Sequence, residues 1–233
     1  MEKQLQSHEE ARSHSMPKVI LFDLDGTLVD SAHDLGAAVD EMRKRRELAP
    51  LGVAHYRSMV GSGARGLLKL AFDLSPSDEE YEQMKEEFFL QYEQNLTQNT
   101  VVFEGVDTML QSLMSSGLQW GVVTNKMERF THPLVREYEL FTTAKTVVCG
   151  DTTPHAKPHP APLLEAAKRM GVDAADCWYV GDDLRDIEAA KAAGMVSVAA
   201  LYGYLGNAAS VDQWGADHKI NTPQALLNIL HTR

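Results

Sequence analysis

The sequence predicts an α/β chain: a parallel sheet clothed in helices and opened, directly after its first strand, by a wholly helical insert. Short, continuous apolar runs recur at Val19–Phe22, Trp120–Val123, Thr146–Val148, Cys177–Val180 and Met195–Ala200. They are rich in β-branched and aromatic residues and do not alternate with polar ones, as strands covered on both faces require. Helical patterns lie between them at 106–116, 129–138, 161–170 and 184–193, and alternation of this kind implies parallel pairing. From 31 to 99 the rhythm breaks, and only helix signals remain.

Taken in order, residues 1–15 (MEKQLQSHEEARSHS) lack the apolar segment of a secretory signal and read as a polar, frayed tail. Met16 offers an alternative start. The first strand runs into Asp23-Leu24-Asp25-Gly26-Thr27. Within the insert, Ser31-x-x-Asp34 and Ser77-x-x-Glu80 have the form of capping boxes. Behind the second, Tyr81, Met84, Phe88 and Tyr92 recur at helical spacing, which predicts one apolar stripe used for packing. Gly117, Gly171 and Gly194 sit just past three helical patterns, where left-handed caps belong. The expected organisation is a core of 16–30 and 100–233 split by a helical cap of 31–99.

Composition narrows the function. The chain has 233 residues, with 22 Lys and Arg against 33 Asp and Glu, a formal charge of −11. That leaves no basic footprint for nucleic acid. No apolar run approaches the roughly 18–20 residues of a membrane span. Cys149 and Cys177 stand alone without CxxC spacing, so they read as buried small hydrophobes of a reduced, cytoplasmic protein.

Ligands of open α/β sheets bind beyond the carboxyl ends of the strands. Four such ends here carry Asp23-Leu24-Asp25-Gly26-Thr27, Thr124-Asn125-Lys126, a loop with Lys157-Pro158, and Gly181-Asp182-Asp183-Leu184-Arg185-Asp186. Each has a plainer use. Asp182 or Asp183 can cap the following helix, Asp25-Gly26 can be a turn, Thr124 a strand residue and Lys157 a solvated charge. Four such uses falling together at four strand ends are a poor explanation. Two carboxylates 4 Å apart repel by roughly 4 kcal/mol at an effective dielectric of about 20, so a proton or a cation must sit among them. Oxygen ligands beside an anion site suit Mg²⁺, and the matching chemistry is phosphoryl transfer. Aspartyl-phosphate formation is one route to it.

In this order DLDGT, VTNK, the Lys157-Pro158 loop and GDDLRD resemble the haloacid dehalogenase superfamily, in particular its helically capped phosphatases. The resemblance covers 18–231 and implies a Rossmann-like parallel-sheet core with an inserted all-helical cap. It implies Asp23 as nucleophile and Asp25 as general acid and base. Thr124, Asn125 and the adjoining backbone would bind phosphoryl oxygens, and Lys157 would neutralise charge. Mg²⁺ would lie on Asp23, the Asp25 carbonyl and Asp182, with Asp186 in the outer shell. Many relatives have a small polar residue where Asp183 stands, which leaves open whether Asp182 or the Asp182–Asp183 pair holds the metal.

The stretches LFDLDGTLVDSA, GVVTNK, AKPHPAPLL and AAKAAG look most like phosphoglycolate phosphatases. GSGAR, GDTTPHAKPHP and GDDLRDIE also resemble phosphatases of N-acetylmuramic acid 6-phosphate. The implied reaction is therefore hydrolysis of a small phosphate monoester, 2-phosphoglycolate first and N-acetylmuramic acid 6-phosphate second, by a monomer or homodimer. Both substrates bear a carboxylate, which Arg65 is expected to contact.

Competing readings fare worse. A phosphosugar mutase would use the same aspartate but need a bisphosphate activator. A dehalogenase would need neither Mg²⁺ nor Asp25, and a catalytically dead binding protein would have lost Asp23, Asp25 or Lys157. Gly61-Ser62-Gly63-Ala64-Arg65-Gly66 spells GxGxxG, but its surroundings are helical on both sides. It reads as a cap loop. His155 and His159 are separated by Pro158 and followed by Pro160, which makes them loop residues rather than a metal pair.

Overall fold

The computed structural model describes residues 16–206 and 208–231; the predicted tail of 1–15 lies outside them. In chain order the elements are β1 (Val19–Phe22), β2 (Val29–Asp30), α1 (Ala32–Arg45), α2 (Val53–Tyr56), α3 (Gly63–Phe72) and α4 (Tyr81–Gln94). There follow β3 (Val101–Val102), α5 (Val106–Ser115), β4 (Gln119–Val123), α6 (Glu128–Glu137), β5 (Val147–Val148) and α7 (Ala161–Met170). The chain closes with β6 (Cys177–Gly181), α8 (Leu184–Ala193), β7 (Val196–Ala200), β8 (His218–Ile220) and α9 (Ala225–His231).

Six strands form one sheet in the order β5-β4-β1-β6-β7-β8, and every pairing in it is parallel. β1 leads to β4 on one side, whereas β6 leads to β7 on the other. The strand order therefore reverses between β1 and β6, and a crevice opens there beyond the strands' carboxyl ends. β1 is buried along its whole length. Ile20 and Phe22 pack into an apolar layer with α5 and α9, and Val19 and Leu21 into one with α7 and α8. This two-sided covering is why the strands read as continuous apolar runs.

The insert leaves and returns over a two-stranded antiparallel ribbon, with Val29 opposite Val102 and Asp30 opposite Val101. Between these strands lie α1 to α4, and no strand occurs among the described residues there. Tyr81, Met84, Phe88 and Tyr92 form the expected buried stripe. Phe130 of α6 and Tyr204 join the same apolar cluster. The insert's core is thus closed by two side chains of the sheet domain.

Several local expectations are corrected. Neither predicted capping box forms; in the first, tertiary contacts take the side chains. Ser31 donates its hydroxyl to Asp25 at 2.5 Å, and buried Asp34 accepts from the Asn99 and Thr100 backbone. α4 starts at Tyr81 with no side-chain cap. The capping box that does form is Asp183–Asp186, at the start of α8. The three glycines, by contrast, are as expected: Gly117, Gly171 and Gly194 are left-handed (φ 79°, 68° and 74°), and each closes its helix with the same pair of backbone bonds. The ribbon and β8 carry no sequence signal, since two or three residues are too few to show a period.

Candidate active site

The end of β1 builds the floor of the crevice. The Asp23 amide donates to Val180 O at 2.9 Å, which carries the ladder one residue past the strand. The chain then turns sharply, and Leu24 O accepts from the Leu28 and Val29 amides. Gly26 is needed in this turn for two reasons. Its φ is +91°, and a Cβ there would lie 2.2 Å from Asp182 Oδ2. Asp182, at the end of β6, accepts from Thr27 Oγ1 at 2.9 Å and from the Tyr204 amide at 2.8 Å. It is therefore locked against the turn that carries Asp23 and Asp25.

Lys157 enters from the loop before α7. Its Nζ donates to Asp186 Oδ1 at 2.7 Å, Tyr179 OH at 2.7 Å and Val123 O at 3.1 Å, and it lies 2.9 Å from Asp23 Oδ1. The loop is held by Asn125, whose side chain accepts from the Lys157 amide and donates to the Lys157 carbonyl. Asn125 thus positions Lys157 as well as lining the cavity. Thr124 is buried at the rim with its amide engaged by Val148 O, and its hydroxyl accepts from the Lys126 amide.

Carboxylate oxygens of Asp23, Asp182 and Asp186 lie within 4.8 Å of one another. Asp186, expected in the outer shell, stands beside Asp23 and Asp182 with Oδ1 accepting from Lys157 Nζ and Oδ2 from the Asp183 amide at 3.0 Å. Burial, with the charge of Asp186, raises the Asp23 carboxyl to about 6 against the pull of Lys157. Burial, with the charges of Asp23 and Asp186, pushes Asp182 well above the ordinary carboxylate value. Burial works against the Lys157 cation too, yet Asp186 and Asp23 outweigh it and hold its pKa high.

One oxygen, Asp23 Oδ1, is buried without a hydrogen bond. Lys157 approaches it closely but not along a hydrogen-bonding direction. Three crowded carboxyl groups, whose oxygens are hard donors and which have a single ammonium among them, fit a small divalent cation.

Asp183 is excluded from that set. Burial opposes its charge, but Arg185 forks onto it at 2.7 and 2.9 Å and holds its pKa below the ordinary value. Asp182, and not Asp183, stands in the carboxylate cluster with Asp23.

Arg65, expected to meet the substrate carboxylate or to face solvent, does not line the cavity. It is exposed on α3, while its neighbours 61–64 line the cavity. The guanidinium at the cavity is that of Arg185, which also donates to Gly61 O of the insert. His155 and His159 lie in a loop with ring centroids 4.5 Å apart. Cys149 and Cys177 are buried thiols, each pushed up to about 11 by burial.

Lys126, the last residue of the Thr124-Asn125-Lys126 strand end, is a site residue for which the sequence gives no role. Its Nζ bonds both Asp25 oxygens, at 3.1 and 3.0 Å, and donates to Tyr92 OH at 2.7 Å. Its place two residues after Thr124 was the signal; its partners were not legible. The cavity between rim and insert holds about 220 Å³ and is lined by an aromatic patch of Phe88, Phe89 and Phe130 as well as by the carboxylates. Among the described residues no helix is long and apolar enough to cross a membrane.

Residues 20–200 match the family model of haloacid dehalogenase-like hydrolases. A phosphoglycolate phosphatase of Xanthomonas campestris pv. campestris is 43% identical over 210 residues, covering 90% of this chain and 95% of that protein. An N-acetylmuramic acid 6-phosphate phosphatase of Pseudomonas aeruginosa is 36% identical over 213 residues, 91% of this chain and 94% of that one. Among solved structures, a predicted phosphoglycolate phosphatase from Haemophilus somnus 129PT superposes with a TM-score of 0.82 at 29% identity, covering 93% of this chain and 99% of that one. The chain belongs to the haloacid dehalogenase-like hydrolase family, and its named relatives include phosphatases of two kinds.

Proposed function

We propose that the protein is a Mg²⁺-dependent phosphatase of small phosphate monoesters. The observation that carries this is the buried cluster of Asp23, Asp182 and Asp186 around Lys157, open to a cavity that also contains Asp25. An Asp23 oxygen attacks phosphorus, the bond from phosphorus to the ester oxygen breaks, and Asp25 gives its proton to the departing alcohol. Water then attacks the aspartyl-phosphate and passes a proton to Asp25. Inorganic phosphate leaves and Asp23 is restored. Lys157 offsets charge on the nucleophile and the transferring group. Asp23, Asp182 and the Asp25 carbonyl would hold Mg²⁺, which supplies further neutralisation of the phosphoryl oxygens.

The first substrate reading is 2-phosphoglycolate, supported by the Xanthomonas relative. A second, N-acetylmuramic acid 6-phosphate, is favoured by the aromatic patch, which offers apolar surface to acetyl and lactyl methyl groups. Phosphate release from both esters and from p-nitrophenyl phosphate, with Mg²⁺ or with EDTA, tests the proposal. Mg²⁺-dependent release is expected, fastest from 2-phosphoglycolate. Release from none of the three, or release indifferent to EDTA, overturns it.

A further inference from the structure

We infer that Lys126 is a positioning residue for Asp25 and that Tyr92 of the helical insert is its anchor, so that the acid/base group is organised only while the insert is seated on the sheet domain. The inference rests on the reading of Asp25 given above.

The two lysines of the cavity serve different carboxylates. Lys157 is taken up by Asp23 and Asp186, and Lys126 is the ion-pair partner of Asp25. Both members of the second pair are largely buried, with side-chain exposures of 6% for Lys126 and 17% for Asp25. A buried ion pair of this kind is geometrically demanding, because a misplaced partner leaves a charge without compensation.

The ammonium has few places to go. It holds both Asp25 oxygens on one side and Tyr92 OH on the other, and it sits 4.6 Å from the centre of the Tyr92 ring. Tyr92 in turn is closely packed. Its ring is stacked on Phe88 and packed at 5.2 Å from the Phe130 ring, and it is buried.

The second grip on Asp25 also depends on the insert. Ser31, at the start of α1, donates to Asp25 Oδ1 at 2.5 Å, while its own amide donates to Tyr204 OH at 2.8 Å. Asp25 is therefore held from the point where the chain enters the insert and, through Lys126, from the insert's last helix. Moving α4 away from α6 removes the anchor of Lys126 and with it one of the two constraints on Asp25. Asp23, Lys157, Asp182 and Asp186 lose no partner by that motion, since all of their bonds lie within the sheet domain.

The test uses the difference between ester types. Expulsion of an alcohol needs the proton from Asp25 much more than expulsion of nitrophenolate, a good leaving group. Tyr92→Phe removes one hydroxyl and keeps the ring packing, and Lys126→Met keeps the stem and removes the ammonium. For each full-length protein, steady-state kcat and KM on 2-phosphoglycolate are compared with the rapid-mixing burst of nitrophenolate from p-nitrophenyl phosphate; N-acetylmuramic acid 6-phosphate replaces 2-phosphoglycolate if it is the better alkyl ester.

Tyr92→Phe is expected to lower kcat on the alkyl ester about tenfold and Lys126→Met about a hundredfold, with the burst rate falling by less than about threefold and KM little changed. Lys126→Arg should recover part of the loss. Equal losses on both esters, or no loss on either, overturn the inference. Asp25→Asn separates it from the parent reading. If that variant does not discriminate between the esters, the role of Asp25 fails; if it discriminates but Tyr92→Phe and Lys126→Met do not, only the role of Lys126 and Tyr92 fails.

Discussion

The two lysine corners of the cavity are built on opposite plans. Lys157 is 2% exposed, and its partners Asp23, Asp186, Tyr179 and Val123 O all belong to the sheet domain. Lys126 draws one partner, Asp25, from the sheet domain and the other, Tyr92, from the insert. The contrast teaches that half of the site is preorganised by the sheet and half is completed by the insert. The Asp23 corner has no bond to the insert, whereas the Asp25 corner is tied to α4 through Lys126 and Tyr92. On the roles proposed above, such a division would let substrate enter without dismantling the cluster of buried charges and would tie acid/base chemistry to the arrangement that excludes water.

The largest effect that would break the Lys157 corner is expected from Asp23→Asn. Turnover should fall by at least about 10⁴-fold, as for removal of other covalent nucleophiles, measured as phosphate release from a folded, purified variant. Native-rate hydrolysis by that variant would end the proposed mechanism. The same variant carries a stability signature. In the folded protein without metal, the Asp23 carboxyl is raised from 3.8 to about 6, chiefly by burial. The native state therefore keeps a proton that the unfolded chain releases. That stabilisation is complete below the unfolded value and lost as pH rises through about 6. In the absence of metal, Asp23→Asn should be more stable than the native sequence at pH 8 by about 3 kcal/mol, with the difference shrinking below about 1 kcal/mol near pH 4. Urea titrations at the two pH values measure it.

The next effect compares the corners directly. Lys157→Met strands Asp23 and Asp186 in a buried site and should cost about 3–5 kcal/mol, the usual penalty for breaking a buried ion pair. Lys126→Met strands the more exposed Asp25 and should cost less in urea unfolding of the same preparation. Equal costs would mean that the corners are not energetically distinct. The smallest effect is expected from Arg65→Ala. This side chain lies in neither corner, so kcat/KM on 2-phosphoglycolate should change by less than about twofold, within the range of ordinary surface substitutions. A tenfold loss would return Arg65 to the substrate.

Much of this molecule is written in short stretches of chain. The strands were legible because burial on both faces demands unbroken apolar runs, and the chemistry at their ends was legible because each motif directly follows its strand. The stripe of Tyr81, Met84, Phe88 and Tyr92 was legible because a helix face repeats locally. Identity, order and spacing of residues thus determined the sheet, the helical insert and the candidates at the rim.

Tertiary structure decided what each candidate touches. Asp183 is forked by Arg185 and stands outside the carboxylate cluster, and Asp186 reaches Lys157 across 29 residues of chain. Ser31 abandons its cap for Asp25, Arg65 turns to solvent, and Lys126 finds Asp25 101 residues away and Tyr92 34 residues away. Periodicity reports which face of an element is buried, because that is a property of neighbours in sequence. Which charge compensates which is set by distances between elements, and those exist only once the sheet has closed and the insert has packed against it.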